Sequence, residues 1–250
     1  MSKRRETPLK NIKLEKGHCS IGVRLNKLGM VPFFQELSES DLEKVNQHFR
    51  ARHFDRGDVI YREEETASLL RIVVAGKVKL VRHTLEGKDV LIDMLQPGEY
   101  FGSLPSIGDE KYMETAIAQT QACVLSVGTD DFRNILNQYP SVAVKALEIT
   151  AGRLKESQEQ IKQLRTRSVE NRIAHVLTML SDKFGEESEV GLLIQVPLSR
   201  KELADMVGTT AETASRIISR FQEKDWVSTG RQWIAIKNQE KIRDLSQDKG

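Results

Sequence analysis

Pro197–Trp226, PLSRKELADMVGTTAETASRIISRFQEKDW, holds two short helical patterns separated by a single glycine, the outline of a helix-turn-helix. Ser199 and Glu202 form a Ser-x-x-Glu capping box, which satisfies backbone donors that a helix start would otherwise leave orphaned. Leu203, Met206 and Val207 make the apolar stripe of the helix so opened, and Gly208 supplies the turn. The second helix opens at Thr209 or Thr210 and places Ala214, Ile217, Ile218 and Phe221 at i, i+3, i+4 and i+7, a core-facing side. The opposite side carries Glu212, Ser215 and Arg216, side chains suited to base edges rather than to a core.

Outward from this motif the chain gives strand and helix signals in turn. WVSTGRQWIAIKN after it reads as a hairpin turning at Gly230, and LLIQV ahead of it as a short strand, so strands flank the two helices as in a winged variant. An acidic loop from Gly185 to Gly191 precedes LLIQV. SVENRIAHVLTMLSDKF, residues 168–184, is an amphipathic helix with Val169, Ile173, Val176, Leu177 and Leu180 inward. Between Ser141 and Leu164, the residues Val144, Leu147, Ala151, Leu154, Gln158 and Ile161 alternate by three and four, the seam that pairs helices in a coiled coil. A helix of that length spans roughly 36 Å at ~1.5 Å per residue, more than a small barrel needs as cover, so the stripe predicts a homodimer interface.

Further upstream, a short helix over 130–139 is capped by Thr129 or Asp130 and ends before Pro140. Residues 52 to 127 carry short β runs punctuated by Gly57, Gly76, Gly87, Gly98 and Gly102, a spacing that predicts a small barrel or sandwich. MVPFFQELSESDLEKVNQHF, residues 30–49, contains a helix capped by Ser38 or Ser40 and bearing Leu42, Val45 and Phe49. Residues 1–29 mix basic and isolated apolar residues without periodicity and read as a mobile basic tail, whose MSKRRETPLK start suits contact with phosphates. The expected division is thus a tail (1–29), a β domain (30–139), a dimerisation helix (140–166) and a C-terminal winged domain (167–250).

Composition narrows the class. With 39% hydrophobic and 30% charged residues, a mean hydropathy of −0.43 and no apolar run near the ~18 residues of a membrane span, the chain reads as globular, with no membrane partner. No signal-peptide hydrophobic stretch follows the basic start, which predicts a cytoplasmic location. The net charge of +2 is unevenly spread: residues 1–30 carry +6, residues 31–164 carry −5, and the rest only +1. Bulk charge therefore does not mark the C-terminal half as a nucleic-acid binder; the placement of its charges must do so. Cys19 and Cys123 are the only cysteines, too few for a disulfide framework, and two thiols alone do not supply the usual four-ligand zinc or iron-sulfur site. No His-x-His, Ser/His/Asp or paired-carboxylate motif is placed, so no catalytic residue, metal or cofactor is expected, and a cupin-like metalloenzyme lacks its ligands.

A β-roll, a long dimer helix and a winged helix-turn-helix, in that order, resemble the cyclic-AMP receptor and fumarate-nitrate regulator (CRP/FNR) family of bacterial transcription factors. The resemblance covers residues 30–240 and rests on VAGKVKLVRHTLEGKDVLIDMLQPGEYFG, NRIAHVL and PLSRKELADMVGTTAETASRIISRFQ. It implies an α+β fold: an N-terminal double-stranded β-helix of the cyclic-nucleotide-binding type, a long dimerisation helix and a C-terminal winged helix-turn-helix. Glu212-Thr-Ala-Ser215-Arg216 looks like the Glu-x-x-Ser-Arg pattern of the fumarate-nitrate branch; the cyclic-AMP receptor branch would have an Arg at Ala211 and a Gly at Ser215. The resemblance implies a homodimer on double-stranded DNA, a palindromic site whose half resembles TTGAT, and half-sites about one helical turn (~34 Å) apart. Arg216 would pair bidentately with guanine, Glu212 would accept from cytosine N4, and Ser215 would touch a neighbouring base. Arg200, Lys201, Thr209 and Thr210 are the candidates for phosphate contacts. RNA polymerase is the further partner such a resemblance implies, as for an activator.

The effector is where the chain departs from the family. The cyclic-nucleotide branch holds ribose and phosphate with a Gly-Glu pair and a later Arg-Ser/Thr; here the pair is Gly102-Ser103, and Glu114 stands where the Arg belongs, ahead of Thr115 and Ala116. A carboxylate there would repel the phosphate, so no control by cyclic AMP is expected and the effector is left unknown. Some relatives sense oxidation through thiols, which implies a redox switch through Cys19 and Cys123 as an alternative. Others bind haem; His18, His48, His53, His83 and His175 are scattered without ligand spacing, with His83 the best placed. A dimeric adaptor whose winged domain binds protein is the remaining alternative.

Overall fold

A computed structural model describes residues 7–10, 19–83, 89–103 and 111–247. The chain divides into two compact units, Ile12–Glu156 on one side and Ser157–Gly250 with Met1–Asn11 on the other.

The first unit opens with helix α1 (Ile21–Met30), a short 3-10 turn (Pro32–Phe34) and α2 (Glu39–Gln47). The basic pattern predicts a tail through residue 29, and α1 corrects this: Leu28 is fully buried, and Arg24 Nη2 donates to Phe49 O at 2.7 Å. The apolar side of α1 is short and interrupted by Lys and Arg, which hides its periodicity. Of the two candidate caps for α2, Ser38 is the one used, its hydroxyl accepting from Asp41 N.

Eight strands follow: β1 (Arg50–Phe54), β2 (Val59–Tyr61), β3 (Leu69–Ala75), β4 (Val78–His83), β5 (Asp89–Leu95), β6 (Tyr100–Gly102), β7 (Thr115–Ala118) and β8 (Ala122–Gly128). They form two four-stranded antiparallel sheets, β1-β8-β3-β6 and β2-β7-β4-β5, the interleaved order of a double-stranded β-helix. Phe54, Tyr61, Val73, Val78, Phe101, Ala116 and Val124 fill the interior between the sheets. The outer face of the first sheet is buried as well. Leu70, Ile72, Val74, Cys123, Leu125 and Val127 pack there with Leu28, Phe33, Phe34, Val45, Phe132 and Val142. Burial on both faces explains why LLRIVVA and ACVLSVG are nearly continuous apolar runs rather than alternating ones.

Helix α3 (Thr129–Gln138) starts one residue earlier than either expected cap allows, with Gly128 at the N-cap. Helix α4 (Pro140–Thr166) is the long helix of the sequence pattern and continues past Glu156, where the first unit ends. Its first turns bury Val142 and pack Ala146 and Ile149 on the roll.

The second unit contains α5 (Val169–Phe184), capped by Ser168, then β9 (Gly185–Ser188), β10 (Gly191–Ile194), α6 (Arg200–Val207), α7 (Ala211–Glu223), β11 (Val227–Gly230), β12 (Trp233–Ile236) and α8 (Gln239–Gln247). The sheet order is β11-β12-β10-β9. The acidic segment read as a loop is the edge strand β9, paired with β10; Glu186, Glu187 and Ser188 are all exposed, so no alternation marks it. The hairpin bend falls at Arg231–Gln232 rather than at Gly230, which pairs with Trp233. Helix α8 has no counterpart in the sequence expectations; it buries Ile242 and is capped by Asn238 Oδ1, which accepts from Lys241 N.

Candidate nucleic-acid interface

Local chemistry fixes the helix-turn-helix. Both halves of the capping box are present: Glu202 N donates to Ser199 Oγ (3.1 Å) and Ser199 N to Glu202 Oε2 (2.8 Å). Gly208 adopts φ of 70°, the left-handed conformation that ends α6 and costs a residue with a Cβ about 1–2 kcal/mol. Thr210, not Thr209, caps α7, with Thr213 N donating to its Oγ1 (3.2 Å). Ala214, Ile217, Ile218 and Phe221 are buried as the spacing predicts; on α6, Ala204 is buried while Met206 is only half-buried.

The outer face of α7 carries the three expected base readers. Glu212 and Arg216 are exposed and one turn apart, and Ser215 is half-buried beside them. Among the described residues the Arg216 guanidinium makes one long hydrogen bond, Nη2 to Thr213 Oγ1 at 3.4 Å, which a guanine would displace at little cost. Of the phosphate candidates, Lys201 and Thr210 are exposed, while Thr209 and Arg200 are partly buried. Burial pushes the Arg200 guanidinium below its ordinary value, yet an arginine remains a cation at neutral pH. The Thr210 hydroxyl also donates to Thr213 Oγ1, so it holds the helix start at which an anion would sit.

Two supports escape motif reading. Arg172 of α5 donates through Nε to Val207 O (3.1 Å) and through Nη2 to Gly208 O (3.4 Å), bracing the turn through its carbonyls. Arg220 of α7 pairs with Glu170 of α5 at 3.2 Å. Their only sequence signal is the polar edge of the NRIAHVL helix.

On α4, Val144, Leu147 and Leu154 are 58%, 70% and 62% exposed, and Ala151 and Gln158 are exposed beside them. The side chain of Ile161 lies outside the described residues. This stripe is separate from Val142, Ala146 and Ile149, which face the roll.

Inside the roll, the positions at which the resemblance implies nucleotide ligands are engaged with the protein itself. Glu114 Oε1 accepts from Tyr61 OH at 2.7 Å. Burial first, and then the charge of Glu114, push the Tyr61 phenol well above its ordinary value, so it stays a donor. Tyr61 and Tyr112 stack with centroids 3.8 Å apart, and the Arg71 guanidinium lies over both rings while donating through Nη1 to Tyr112 OH (2.7 Å). Thr115 Oγ1 accepts from Glu63 N (2.9 Å) and lies 3.1 Å from His83 Nε2. Gly102 has φ of 88°, and a Cβ there would meet Leu69 O at 2.6 Å.

The structure joins Cys19 and Cys123 in a disulfide, with Cα atoms 6.4 Å apart. Cys19 stands two residues before α1, next to its N-cap Ser20, and Cys123 is fully buried in β8. His53, paired across strands with Cys123, brings a ring nitrogen to the same place; the three ligand atoms lie within 4.8 Å of one another. Spacing along the chain gives no sign of this, because the pairing of β1 with β8 creates it.

Comparison with known proteins defines the class. Residues 51–139 match the cyclic nucleotide-binding domain, and residues 171–245 match the Crp-like helix-turn-helix domain. The CRP-like cAMP-activated global transcriptional regulator of Mycobacterium tuberculosis is 24% identical over 86% of this chain and 96% of its own length. The probable transcriptional regulator flp of Lacticaseibacillus casei is 27% identical over 87% of this chain and 96% of its own. Among solved structures, FixK2 from Bradyrhizobium japonicum has the same fold, with a TM-score of 0.69, 22% identity and coverage of 81% of this chain and 99% of its own. The chain belongs to the CRP/FNR family of transcriptional regulators.

Proposed function

We infer that the protein is a homodimeric, sequence-specific transcriptional regulator that reads a palindromic TTGAT-like site and is not controlled by cyclic AMP. The observation that carries this is the α7 face: Glu212, Ser215 and Arg216 share one accessible side while the opposite side is buried. The exposed apolar stripe Val144, Leu147, Ala151 and Leu154 supports dimerisation, since large apolar side chains in a row on a helix call for a partner. A two-fold dimer requires a two-fold site. Independence from cyclic AMP is supported by Glu114, whose carboxylate is bonded to Tyr61 where a phosphate would need a cation. RNA polymerase is the further partner, and the cytoplasm the location, that this role requires.

Selection of bound genomic fragments by the purified chain tests the reading: enrichment of an inverted repeat with TTGAT-like halves is expected, and recovery of no common sequence would refute it. Calorimetry with cyclic AMP is expected to show no binding at micromolar concentrations. A second reading, redox control of DNA binding through Cys19 and Cys123, is favoured by their pairing. It predicts different DNA affinities for the reduced and oxidised chain, with the difference abolished in Cys19→Ser.

A further inference from the structure

We propose that in the reduced protein Cys19, Cys123 and His53 form a zinc site that clasps the start of α1 to the β-roll. The inference deepens the redox reading of the same cysteines. The three donors come from separate parts of the chain, the cysteines 104 residues apart, and are brought together by elements that are independently anchored. Cys123 and His53 are register partners in β8 and β1, so their side chains leave the same face of the sheet. Cys19 is held over that face by α1, which Leu28 and the Arg24 bond to Phe49 O pin to the roll. Among the described residues no other group of His, Cys, Asp and Glu side chains converges in this way.

The chemistry of the set selects the cation. Two thiolates and an imidazole suit Zn²⁺, which takes Zn–S bonds of about 2.3 Å and Zn–N bonds of about 2.0–2.1 Å. Tetrahedral arms of those lengths separate two sulfurs and one nitrogen by about 3.5–3.8 Å. The three ligand atoms lie within 4.8 Å of one another; on reduction the two bonded sulfurs must separate to about 3.8 Å, which rotation of the half-buried Cys19 side chain allows, and the exposed His53 ring closes a remaining gap of about 1 Å. Cys123 is fully buried, where a bare thiolate is costly and a bound divalent cation offsets its charge. Three protein ligands leave a fourth position, which a water takes.

The same sulfurs then give a balanced redox step. Hydrogen peroxide accepts two electrons from the two zinc-bound thiolates: the sulfur–sulfur bond forms, both zinc–sulfur bonds and the peroxide O–O bond break, and with two protons the two oxygens leave as two waters. Zinc departs, since His53 alone does not hold it.

The test uses the full chain, reduced and metal-free, titrated with Co²⁺ as a spectroscopic probe and then with Zn²⁺. One Co²⁺ per chain is expected, with thiolate charge-transfer and tetrahedral ligand-field bands that Zn²⁺ bleaches. His53→Ala, at an exposed edge-strand position, should weaken binding about 100-fold or more, beyond the usual cost of losing an outer-shell partner. Cys19→Ser, at a half-buried position, should lower the charge-transfer absorbance by at least half and weaken Co²⁺ binding while circular dichroism stays unchanged. No bound Co²⁺, or an affinity unchanged by both substitutions, would overturn the site. A reduced chain that binds no metal but still changes its DNA affinity on oxidation would overturn the zinc site and leave the redox reading standing. Co²⁺ held by all three residues, in a chain whose DNA affinity ignores oxidation, would support the site and remove the redox reading.

Discussion

Arg216 is the residue on which sequence selectivity is expected to turn. Its guanidinium is exposed and only loosely held by Thr213, so Arg216→Ala should leave fold and assembly intact. It should cost ~1–3 kcal/mol of discrimination at the guanine position, read as the ratio of affinities for the cognate duplex and one substituted at that guanine. His175 makes a different kind of prediction. Burial, and secondarily the charge of Arg167, hold its imidazole below the ordinary 6.5, with Nδ1 3.5 Å from Ser246 Oγ of α8. Because the unfolded chain binds the proton more readily, the contribution of neutral His175 is complete above about pH 6.5 and is lost as pH falls through the lower folded value. Thermal unfolding should therefore show a midpoint that drops on acidification below that point, and His175→Gln should flatten the dependence.

At the scale of elements, α4 carries two separate faces: Val142, Ala146 and Ile149 serve the roll, whereas Val144, Leu147 and Leu154 are exposed among the described residues. Leu147→Glu removes two leucines from a symmetric dimer, about 3–6 kcal/mol, enough to weaken dimerisation at least about a hundredfold in sedimentation equilibrium while the monomer stays folded. The sequence made some elements legible and not others, for physical reasons. Ser199, Glu202 and Gly208 act on their own backbone within a few residues, so their spacing alone announced α6 and its turn. Strand β9 is a polar edge and α8 a short helix whose one fully buried hydrophobic is Ile242; neither offers the periodicity on which recognition depends. Helix α1 was hidden by its basic surface. The meeting of His53 with the two cysteines is set by strand pairing across 70 residues of chain, a non-local fact that no spacing rule carries.

For the whole molecule, charge is distributed against a purely electrostatic mode of binding, since the segment from Arg165 onward is nearly neutral. Few cations then account for the salt dependence. If Lys201 meets a phosphate in each half-site, Lys201→Ala should lower the slope of log affinity against log salt by about 1.8 for the dimer, at ~0.9 per contact, with little change in sequence preference. The stacked Tyr61 and Tyr112 with Arg71 across them have a related global effect. A solute entering the roll there would have to separate the rings, about 0.5–1.5 kcal/mol for such a pair, and strip the cation from their faces, about 2 kcal/mol when desolvated, before making any contact of its own. Among the described residues, the aromatic faces and the cation are thus already matched to one another, and breaking that match is the first cost any ligand entering between them would meet.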